Sequence, residues 1–506
     1  MAKAQQPESA WLAGELLSDL PLPRGGWEDR PLMGLALDSR KVQPDWLFMA
    51  LQGSQGHGLT HLSQALERGA SLVLAEISAA LSEADILNLD ASVPVLPVEN
   101  LGALASGLAS RFYGNPAQHM RMLGVTGTNG KTSVSLFLAQ ALPPSWHCAV
   151  TGTTGNGFPH DLQPATHTTP DAVEAQRILA SLREQGAGAV AMEVSSHALD
   201  QHRLAAVPFH TAVFTNLSRD HLDYHGSMRT YAAAKQRLFQ TPGLQLAVIN
   251  TDDEVGAELL EQLEGKVRTI ACHSGGRTLG ADEFLRLESL QPDPRGLTLE
   301  IASSWGRARV ESRLVGDFNA SNLMLVLGVL LGWGMPMEEA VTRLEKLKTV
   351  PGRMQTFGGG DQPLVVVDYA HTPDALGKAL SSLRAHCRGK LVCVFGCGGD
   401  RDRGKRPQMG ALAEAMADRV VVTDDNPRHE ASPAIIADIL EGMEQPGEVR
   451  VQPDRARAIA EALAQARPGD VVLVAGKGHE TYQQVGDLRL PFSDLEQVRS
   501  HLGGGE

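Results

Sequence analysis

Cysteine is scarce in this chain, with five among 506 residues. So few thiols in so long a sequence do not build a disulfide framework, and they fit a reducing compartment. Long apolar runs are missing too: none approaches the roughly 20 residues that span a bilayer, so membrane insertion is not expected. The opening Met-Ala-Lys-Ala-Gln-Gln-Pro-Glu lacks the charged start and apolar centre of a secretory signal, and a cytoplasmic location is expected. An excess of positive charge is also absent. The formal net charge of −14 argues against nucleic-acid binding, while leaving room for a local anion site. There are no internal repeats, and no low-complexity tract beyond the terminal Gly-Gly-Gly-Glu.

What is present reads as an α/β enzyme of three domains, with expected bounds 1–99, 100–349 and 350–506. The first stretch carries short strand-like runs at 35–37, 46–49, 72–74 and 93–95, with one helix near 62–68, a small N-terminal α/β domain. In the second, the runs 123–125, 189–192, 212–214 and 247–249 alternate with helical patterns, as in a parallel sheet with crossover helices. Residues 285–314 alternate apolar and polar side chains, which predicts an antiparallel appendage. The third opens on Val365-Val366-Val367-Asp368 and continues through runs at 391–395, 420–422 and 471–474. It reads as a Rossmann-like C-terminal domain, although its first strand lacks a dinucleotide fingerprint. Cys393 and Cys397 have a loosely zinc-like spacing, but no second pair matches it, and buried small apolar residues are expected there.

The segment Gly-Val-Thr-Gly-Thr-Asn-Gly-Lys-Thr-Ser at 124–133 sets the chemistry. An apolar strand leads in and a helical pattern leads out. Between them, glycines let backbone amides approach phosphate oxygens, and the helix N-terminus adds partial positive charge. Gly127, Thr128, Asn129 and Gly130 form the loop, Lys131 is placed to reach the β/γ-phosphates, and Thr132 to ligate Mg²⁺. Val125 stands where the full Walker pattern wants glycine, so this is a shortened P-loop, and the central domain reads as a P-loop ATPase-type sheet. Two polar blocks follow strands of the same domain: Glu193-Val194-Ser195-Ser196-His197, and Thr215 through His225. Strand ends are where parallel sheets place ligands. Glu193 and His221 can each supply a ligand to Mg²⁺ near the nucleotide; taken alone, His221, Asp223 and His225 also allow zinc.

These blocks, together with Gly316-Asp317-Phe318-Asn319-Ala320-Ser321-Asn322 and Asp368-Tyr369-Ala370-His371-Thr372-Pro373-Asp374, stand in the order seen in the Mur ligases. Those are the ATP-dependent amide-forming enzymes of peptidoglycan synthesis, which serve cell shape and division. The resemblance runs from Leu37-Asp38-Ser39-Arg40 to Gly476-Lys477-Gly478-His479-Glu480. It implies ATP as co-substrate, Mg²⁺ as cofactor and a monomer. Thr132, Glu193 and His221 resemble the Mg²⁺ holders, Asn322 the adenine contact, Arg353 in Pro351-Gly352-Arg353-Met354 a γ-phosphate contact, and Asp368 a ribose contact. Ser39 resembles the residue at the uridine end of a UDP-MurNAc-dipeptide, while Thr168, Thr169, Ser195, Gln201 and Arg203 resemble those holding its dipeptide and pyrophosphate. Read without the resemblance, Asn322 starts a helix and Ser39 caps a turn. Lys235 reads as a surface lysine on a helix; in the family the matching lysine is carbamylated and joins the Mg²⁺ cluster, which makes it a catalytic candidate with Lys131, His221 and Arg353.

The acceptor site discriminates further. Asp425-Asn426-Pro427-Arg428 matches the pattern of diaminopimelate users in the family, whereas lysine users depart from it. Arg428 offers a planar fork to the distal carboxylate of meso-diaminopimelate, which lysine lacks. Arg401, Gly476 and Glu480 resemble the remaining contacts. The implied reaction joins meso-diaminopimelate to the D-glutamate γ-carboxylate of UDP-MurNAc-L-Ala-D-Glu through an acyl phosphate. The alternatives are a lysine-adding Mur ligase, a folylpolyglutamate synthase, or a non-enzymatic ATP-binding protein.

Overall fold

A computed structural model describes residues 10–53, 56–165, 167–218, 220–275, 280–293, 296–349 and 352–502. Arg219, Pro351 and the Asp223 side chain, which belong to the blocks above, lie outside the described residues. The chain divides into two compact units. One comprises Met1–Ala271 and Leu279–Asp282; the other Cys272–Thr278 and Glu283–Glu506.

The first unit is built mainly on two sheets. Strands Gly34–Ala36, Trp46–Ala50, Ala70–Glu76 and Val95–Val98 pair in that order, all parallel. Their side chains alternate between two apolar cores. Leu72 and Leu74 pack with the helix Leu101–Phe112, and Val73 and Ala75 pack on the opposite face. That helix shares its core with Ala172 and Val173, at the start of the helix Ala172–Glu184. The second layer is a sheet in the order Asp161–Gln163, Gly155–Phe158, Cys148–Gly152, Ala189–Glu193, Arg121–Thr126, Phe209–Phe214, Leu246–Asn250. From Cys148–Gly152 onward the pairs are parallel. The strand feeding the P-loop therefore has Ala189–Glu193 on one side and Phe209–Phe214 on the other, with Glu193 paired to Val125 and Phe214 to Thr126. The loops after all three strands emerge at the same carboxyl edge. This is why two blocks distant in sequence meet the phosphate loop.

In the second unit, Glu283–Asp293, Gly296–Ser303 and Gly306–Ser312 form the expected antiparallel meander. A second sheet runs Gln355–Gly358, Leu364–Asp368, Val471–Ala475, Leu391–Phe395, Arg419–Val422, Arg450–Val451, parallel apart from its first strand. Leu364 and Val366 enter one core and Val365 and Val367 the other, so this sheet is covered by helices on both faces. Cys393 and Cys397 are buried, with the Cys397 Sγ 3.7 Å from the Met409 Sδ, and burial pushes both thiols up to about 12. They behave as small apolar core residues. Among the described residues, no helix is long and apolar enough to cross a membrane.

Candidate active site

The phosphate loop is short and tied down. The helix Lys131–Ala141 begins directly after Gly130, whose φ of 86° suits glycine. Thr128 N–H donates to the Asn216 carbonyl (2.8 Å) and Asn129 N–H to the Asn216 side chain (3.0 Å). The Thr215 hydroxyl and the Asn216 amide both donate to the Asn129 carbonyl, at 2.6 and 3.1 Å. Lys131 Nζ donates to the carbonyls of Gly127 and Thr128, both at 2.9 Å, within the loop it belongs to.

Glu193 ends its strand almost fully buried, at 1% exposure. Thr132 donates to its Oε2 at 2.9 Å, Thr153 N–H to Oε1 at 2.8 Å, and the Thr153 hydroxyl to Oε2 at 3.2 Å. Burial raises its carboxyl pKa, opposed first by the charge of Lys131 and then by these hydrogen bonds. Gly152 makes the approach possible, since a Cβ there would lie 2.0 Å from Oε1. A threonine hydroxyl and a buried carboxylate side by side form a hard-oxygen donor pair, and that chemistry fits Mg²⁺.

His221 stands apart from that pair in its contacts. It precedes the helix Leu222–His225 with φ 52°, its ring 4.9 Å from that of His197 and its Nε2 3.4 Å from the Asp220 carboxylate. His225 Nε2 lies 2.9 Å from the Ser196 hydroxyl. Among the described residues, no three His, Cys, Asp or Glu side chains gather as a metal cluster. His221 and His225 are therefore not brought together as zinc ligands by the described side chains, which leave out that of Asp223.

Lys235 overturns the surface reading. It is 2% exposed on the helix Met228–Gln236, where Tyr231, Ala234 and Lys235 share the buried face. Its Nζ donates to the Gly127 carbonyl at 2.8 Å and sits 4.5 Å from the centre of the Tyr231 ring. Desolvation, followed by the charge of Lys131, lowers its pKa to about 6.

The residues expected to hold the dipeptide and pyrophosphate form a connected chain. Thr168 accepts from the Thr153 hydroxyl (3.1 Å), and Thr169 donates to the Glu193 carbonyl (2.8 Å) while accepting from Ser195 N–H (3.0 Å). Arg203 donates to the Thr169 carbonyl (3.0 Å) and, from Nε and Nη2, to Gln201 Oε1 (2.9 and 2.6 Å). The Ser195 hydroxyl also caps the helix Ser196–Asp200. Ser39 lies elsewhere in the same unit, buried, donating to Gln64 Oε1 at 2.7 Å. It does not cap its turn; the Asp38 carboxylate does, accepting from Arg40 N–H.

The second unit holds the other predicted residues. Asn322 lies in the second turn of the buried helix Phe318–Gly332 rather than at its start, donating to Asn319 Oδ1 at 3.0 Å. Asp368 ends its strand with its carboxylate accepting from Met354 N–H (2.7 Å) and Ala370 N–H (2.9 Å); burial raises its pKa against those bonds. The Arg353 guanidinium lies 4.9 Å from the centre of the Tyr369 ring. Arg353 Nε and His479 Nδ1 are buried without partners among the described residues, so polar capacity remains there for a ligand.

Asp425, Asn426, Arg428, Gly476 and Glu480 converge at the carboxyl edge of the second sheet. Asn426 donates to Glu480 Oε2 at 2.9 Å. Arg428 adopts φ 50° and donates from Nη1 to the Gly399 carbonyl at 2.7 Å. Among the described residues it has no carboxylate partner, and Arg401, on the loop after Leu391–Phe395, makes no hydrogen bond or ion pair. That loop is braced by the fully buried Arg406, which pairs with Glu430 and Asp438 at 2.8 Å and donates to the Gly398 carbonyl at 3.1 Å. A cavity of about 790 Å³ in the same unit is lined by Lys390, Arg419 and Asp470, at the amino ends of the strands.

Three family models cover most of the chain: "Mur ligase family, catalytic domain" over 31–113, "Mur ligase middle domain" over 125–330, and "Mur ligase, glutamate ligase domain" over 352–478. The chain belongs to the Mur ligase family. Among curated Mur ligases it is 52% identical to the UDP-N-acetylmuramoyl-L-alanyl-D-glutamate–2,6-diaminopimelate ligase of Alkalilimnicola ehrlichii, over 95% of this chain and 96% of that protein. It is 49% identical to the ligase of the same name from Pseudomonas aeruginosa, over 93% and 95%. A solved structure of a ligase of that name matches with a TM-score of 0.71 at 37% identity, covering 97% of this chain and 99% of that one. A folylpolyglutamate synthase from Mycobacterium tuberculosis, 18% identical with a TM-score of 0.58, shares the fold over 79% of this chain and 95% of that one.

As in any Mur ligase, the chemistry has to be assigned to residues of this chain. Thr153, Thr215, Asn216 and Arg406, with Arg455 (paired with Asp494) and Lys477 (paired with Glu480), brace these residues and had no role assigned to them from sequence. Thr153 had a signal, since it follows a strand in a Gly-Thr-Thr-Gly turn. A buried arginine such as Arg406, whose partners Glu430 and Asp438 lie 24 and 32 residues away, has no local signature.

Proposed function

We propose that this protein is an ATP-dependent ligase that adds meso-diaminopimelate to the D-glutamate γ-carboxylate of UDP-MurNAc-L-Ala-D-Glu, in peptidoglycan precursor synthesis. The observation that carries the choice of amino acid is the charge layout of the Asp425–Arg428 segment. Among the described residues Arg428 has no carboxylate partner, while Asp425 lies on the same segment and Glu480 is joined to that segment through Asn426. An end group bearing both a carboxylate and an ammonium matches that layout; the side chain of lysine supplies only the ammonium.

In the proposed reaction the γ-phosphoryl group of ATP passes to the γ-carboxylate oxygen, giving an acyl phosphate and ADP. An amine of diaminopimelate, having lost its proton, attacks the acyl carbon, and the C–O bond to phosphate breaks. Gly127 to Thr132 cradle the phosphates, and Lys131 turns from the loop carbonyls to the transferring group. Asn322, Arg353 and Asp368 receive the adenine, γ-phosphate and ribose. Thr132 and Glu193, with His221, would hold Mg²⁺, which neutralises phosphate charge when bound. Lys235, as a carbamate, would add an anion to that group. Ser39 meets the uridine end, while Thr168, Thr169, Ser195, Gln201 and Arg203 hold the dipeptide and pyrophosphate. Arg401, Asp425, Asn426, Arg428, Gly476 and Glu480 receive diaminopimelate. The protein is read as cytoplasmic and monomeric, without a nucleic-acid partner. Its domains are proposed at 1–99, 100–349 and 350–506, although the core shared by the helix Leu101–Phe112 and the four-stranded sheet Gly34–Ala36 to Val95–Val98 favours a first boundary beyond that helix.

The test is phosphate release from ATP with UDP-MurNAc-L-Ala-D-Glu and a panel of amino acids. Release with diaminopimelate well above that with lysine supports the reading. Equal release with both, or release that does not depend on an amino acid, defeats it.

A further inference from the structure

Lys477 lies between two glycines after the strand Val471–Ala475, and its side chain is wholly buried. Its ammonium meets three acceptors: Asn426 Oδ1 at 3.0 Å, Glu480 Oε2 at 3.0 Å and Asp425 Oδ1 at 3.4 Å. An ammonium has three N–H donors, so none remains for a substrate. We propose that Lys477 is a positioning residue of the amino-acid site, holding Glu480, Asn426 and Asp425 in the arrangement that receives the incoming amino acid. This rests on the reading of those three residues as amino-acid contacts.

The hydrogen-bond pattern gives the lysine that role. Asn426 Oδ1 accepts from Lys477 and from Gln484 N–H (2.9 Å), while Asn426 Nδ2 donates to Glu480 Oε2. A flipped amide would turn its NH₂ toward two other donors, so Lys477 fixes the face that Asn426 presents. Glu480 Oε2 is saturated by Lys477 and Asn426, whereas Glu480 Oε1 and Asp425 Oδ2 accept no hydrogen bond among the described residues. Those two oxygens remain for a cationic group. Gly476 lies against this site, with a φ of 120° that suits glycine and a Cβ position in van der Waals contact with Asp425 Oδ2, at 3.4 Å.

The charges agree. Asp425 and Glu480 are two carboxylates on either side of one ammonium, while the neighbouring Arg455 is engaged with Asp494. Without Lys477 the two carboxylates face each other with no cation between them. Glu480, whose side chain is 19% exposed, can then relieve the repulsion by turning to water. The amino acid would lose both the carboxylate and its orientation, whereas ATP and the nucleotide-dipeptide bind through other residues.

The experiment is a double-mutant cycle on the full-length enzyme with Lys477→Met, Glu480→Gln and the pair, reading the KM for each of the three substrates. Lys477→Met is expected to raise the diaminopimelate KM by roughly thirtyfold or more, with the other two KM values unchanged. Because Lys477 acts in part by holding Glu480, the double variant should lose clearly less than the sum of the two single losses, a non-additivity that a general packing role would not produce. The double variant also removes one of the two facing carboxylates, so it stands as the folded comparison if Lys477→Met alone loses its thermal transition. Additive losses overturn the proposal, as does a parallel rise of all three KM values. If Glu480→Gln raises the diaminopimelate KM and Lys477→Met does not, the positioning role falls and the site reading stands. If Glu480→Gln itself changes nothing, the site reading falls and takes the proposal with it.

Discussion

Lys235 donates from Nζ to the carbonyl oxygen of Gly127 at 2.8 Å, which sets a buried amine against the phosphate loop. Carbamylation requires a neutral amine and carbon dioxide. With its pKa lowered to about 6, Lys235 is largely uncharged at neutral pH and ready to react. Enzyme equilibrated with ¹³C-bicarbonate should show a carbamate carbon signal that is missing from Lys235→Ala. That variant should be nearly inactive and partly restored by acetate. A normal rate from wild-type enzyme whose lysine is unmodified by mass analysis would contradict the assignment.

The same lysine sets a pH trend in stability. Its folded-state pKa lies below its ordinary value of 10.5, so between about 6 and 10.5 the unfolded chain binds the extra proton. The contribution of this site to stability therefore rises with pH across that window. Lys235→Met should flatten the slope. Urea unfolding of both proteins from pH 6 to 9, without bicarbonate, measures it; parallel curves would show that the amine is not desolvated.

Glu193 is expected to trade stability for activity. Burial raises its pKa, so keeping it ionised costs folding free energy, a cost that is absent at low pH, grows as pH rises from the ordinary carboxylate value through the folded-state value, and is fully present above it. Glu193→Gln should therefore match or exceed the wild-type melting temperature at pH 8. It should also lose Mg²⁺-dependent product formation by roughly a hundredfold or more, as expected for removal of a group aimed at transition-state charge. Calorimetry and steady-state rates test both halves. An active variant removes Glu193 from the metal site.

Arg428→Ala should weaken diaminopimelate use sharply. Truncating one partner of a buried charge pair typically costs about 2–5 kcal/mol, or roughly thirtyfold to several thousandfold in apparent affinity. The KM values for ATP and the nucleotide-dipeptide should stay near wild type, and lysine, with no distal carboxylate to forfeit, should lose far less. Equal losses with both amino acids would refute the specificity argument and leave the ligase assignment standing.

Arg455 and Asp494 form an ion pair with both side chains fully buried, at 2.7 Å. Arg455 also donates to the carbonyls of Asp424 (3.3 Å) and Ala475 (2.9 Å), joining the two strand ends that carry the proposed amino-acid site. Arg455→Met should destabilise the second unit by about 3–5 kcal/mol, because it strands a buried carboxylate. Adding Asp494→Asn should recover part of that loss. Denaturant unfolding of the single and double variants decides, and a single variant as stable as wild type would show the pair to be dispensable.

Much of the fold was legible because it rests on local pattern. The β-branched runs at 364–368, 391–395 and 471–475 are strands buried on both faces, and such strands announce themselves by unbroken apolar sequence. The phosphate loop was legible from its glycines and the Lys131-Thr132 pair. Lys235 was misread, although a signal existed: Tyr231 and Lys235 are four residues apart, so a helix with Tyr231 inward also turns Lys235 inward. Residue type outweighed periodicity in that reading. Ser39 was one position off as a cap, because Asp38 before it is the better acceptor. Arg455 had no local signature, since its partner Asp494 lies 39 residues away; Lys477 was missed although Glu480 stands three residues on, because its other partners, Asp425 and Asn426, lie 52 and 51 residues away.

Ties from Thr215 and Asn216 to Asn129 turn the phosphate loop into a mould cast before the nucleotide arrives. Fixing a residue's backbone costs about 1–2 kcal/mol, and for Gly127 to Gly130 that entropy is spent when the chain folds. Nucleotide entering the loop then finds little left to order. If nucleotide binds there as proposed, its affinity reports on charge and hydrogen bonding with little deduction for loop closure.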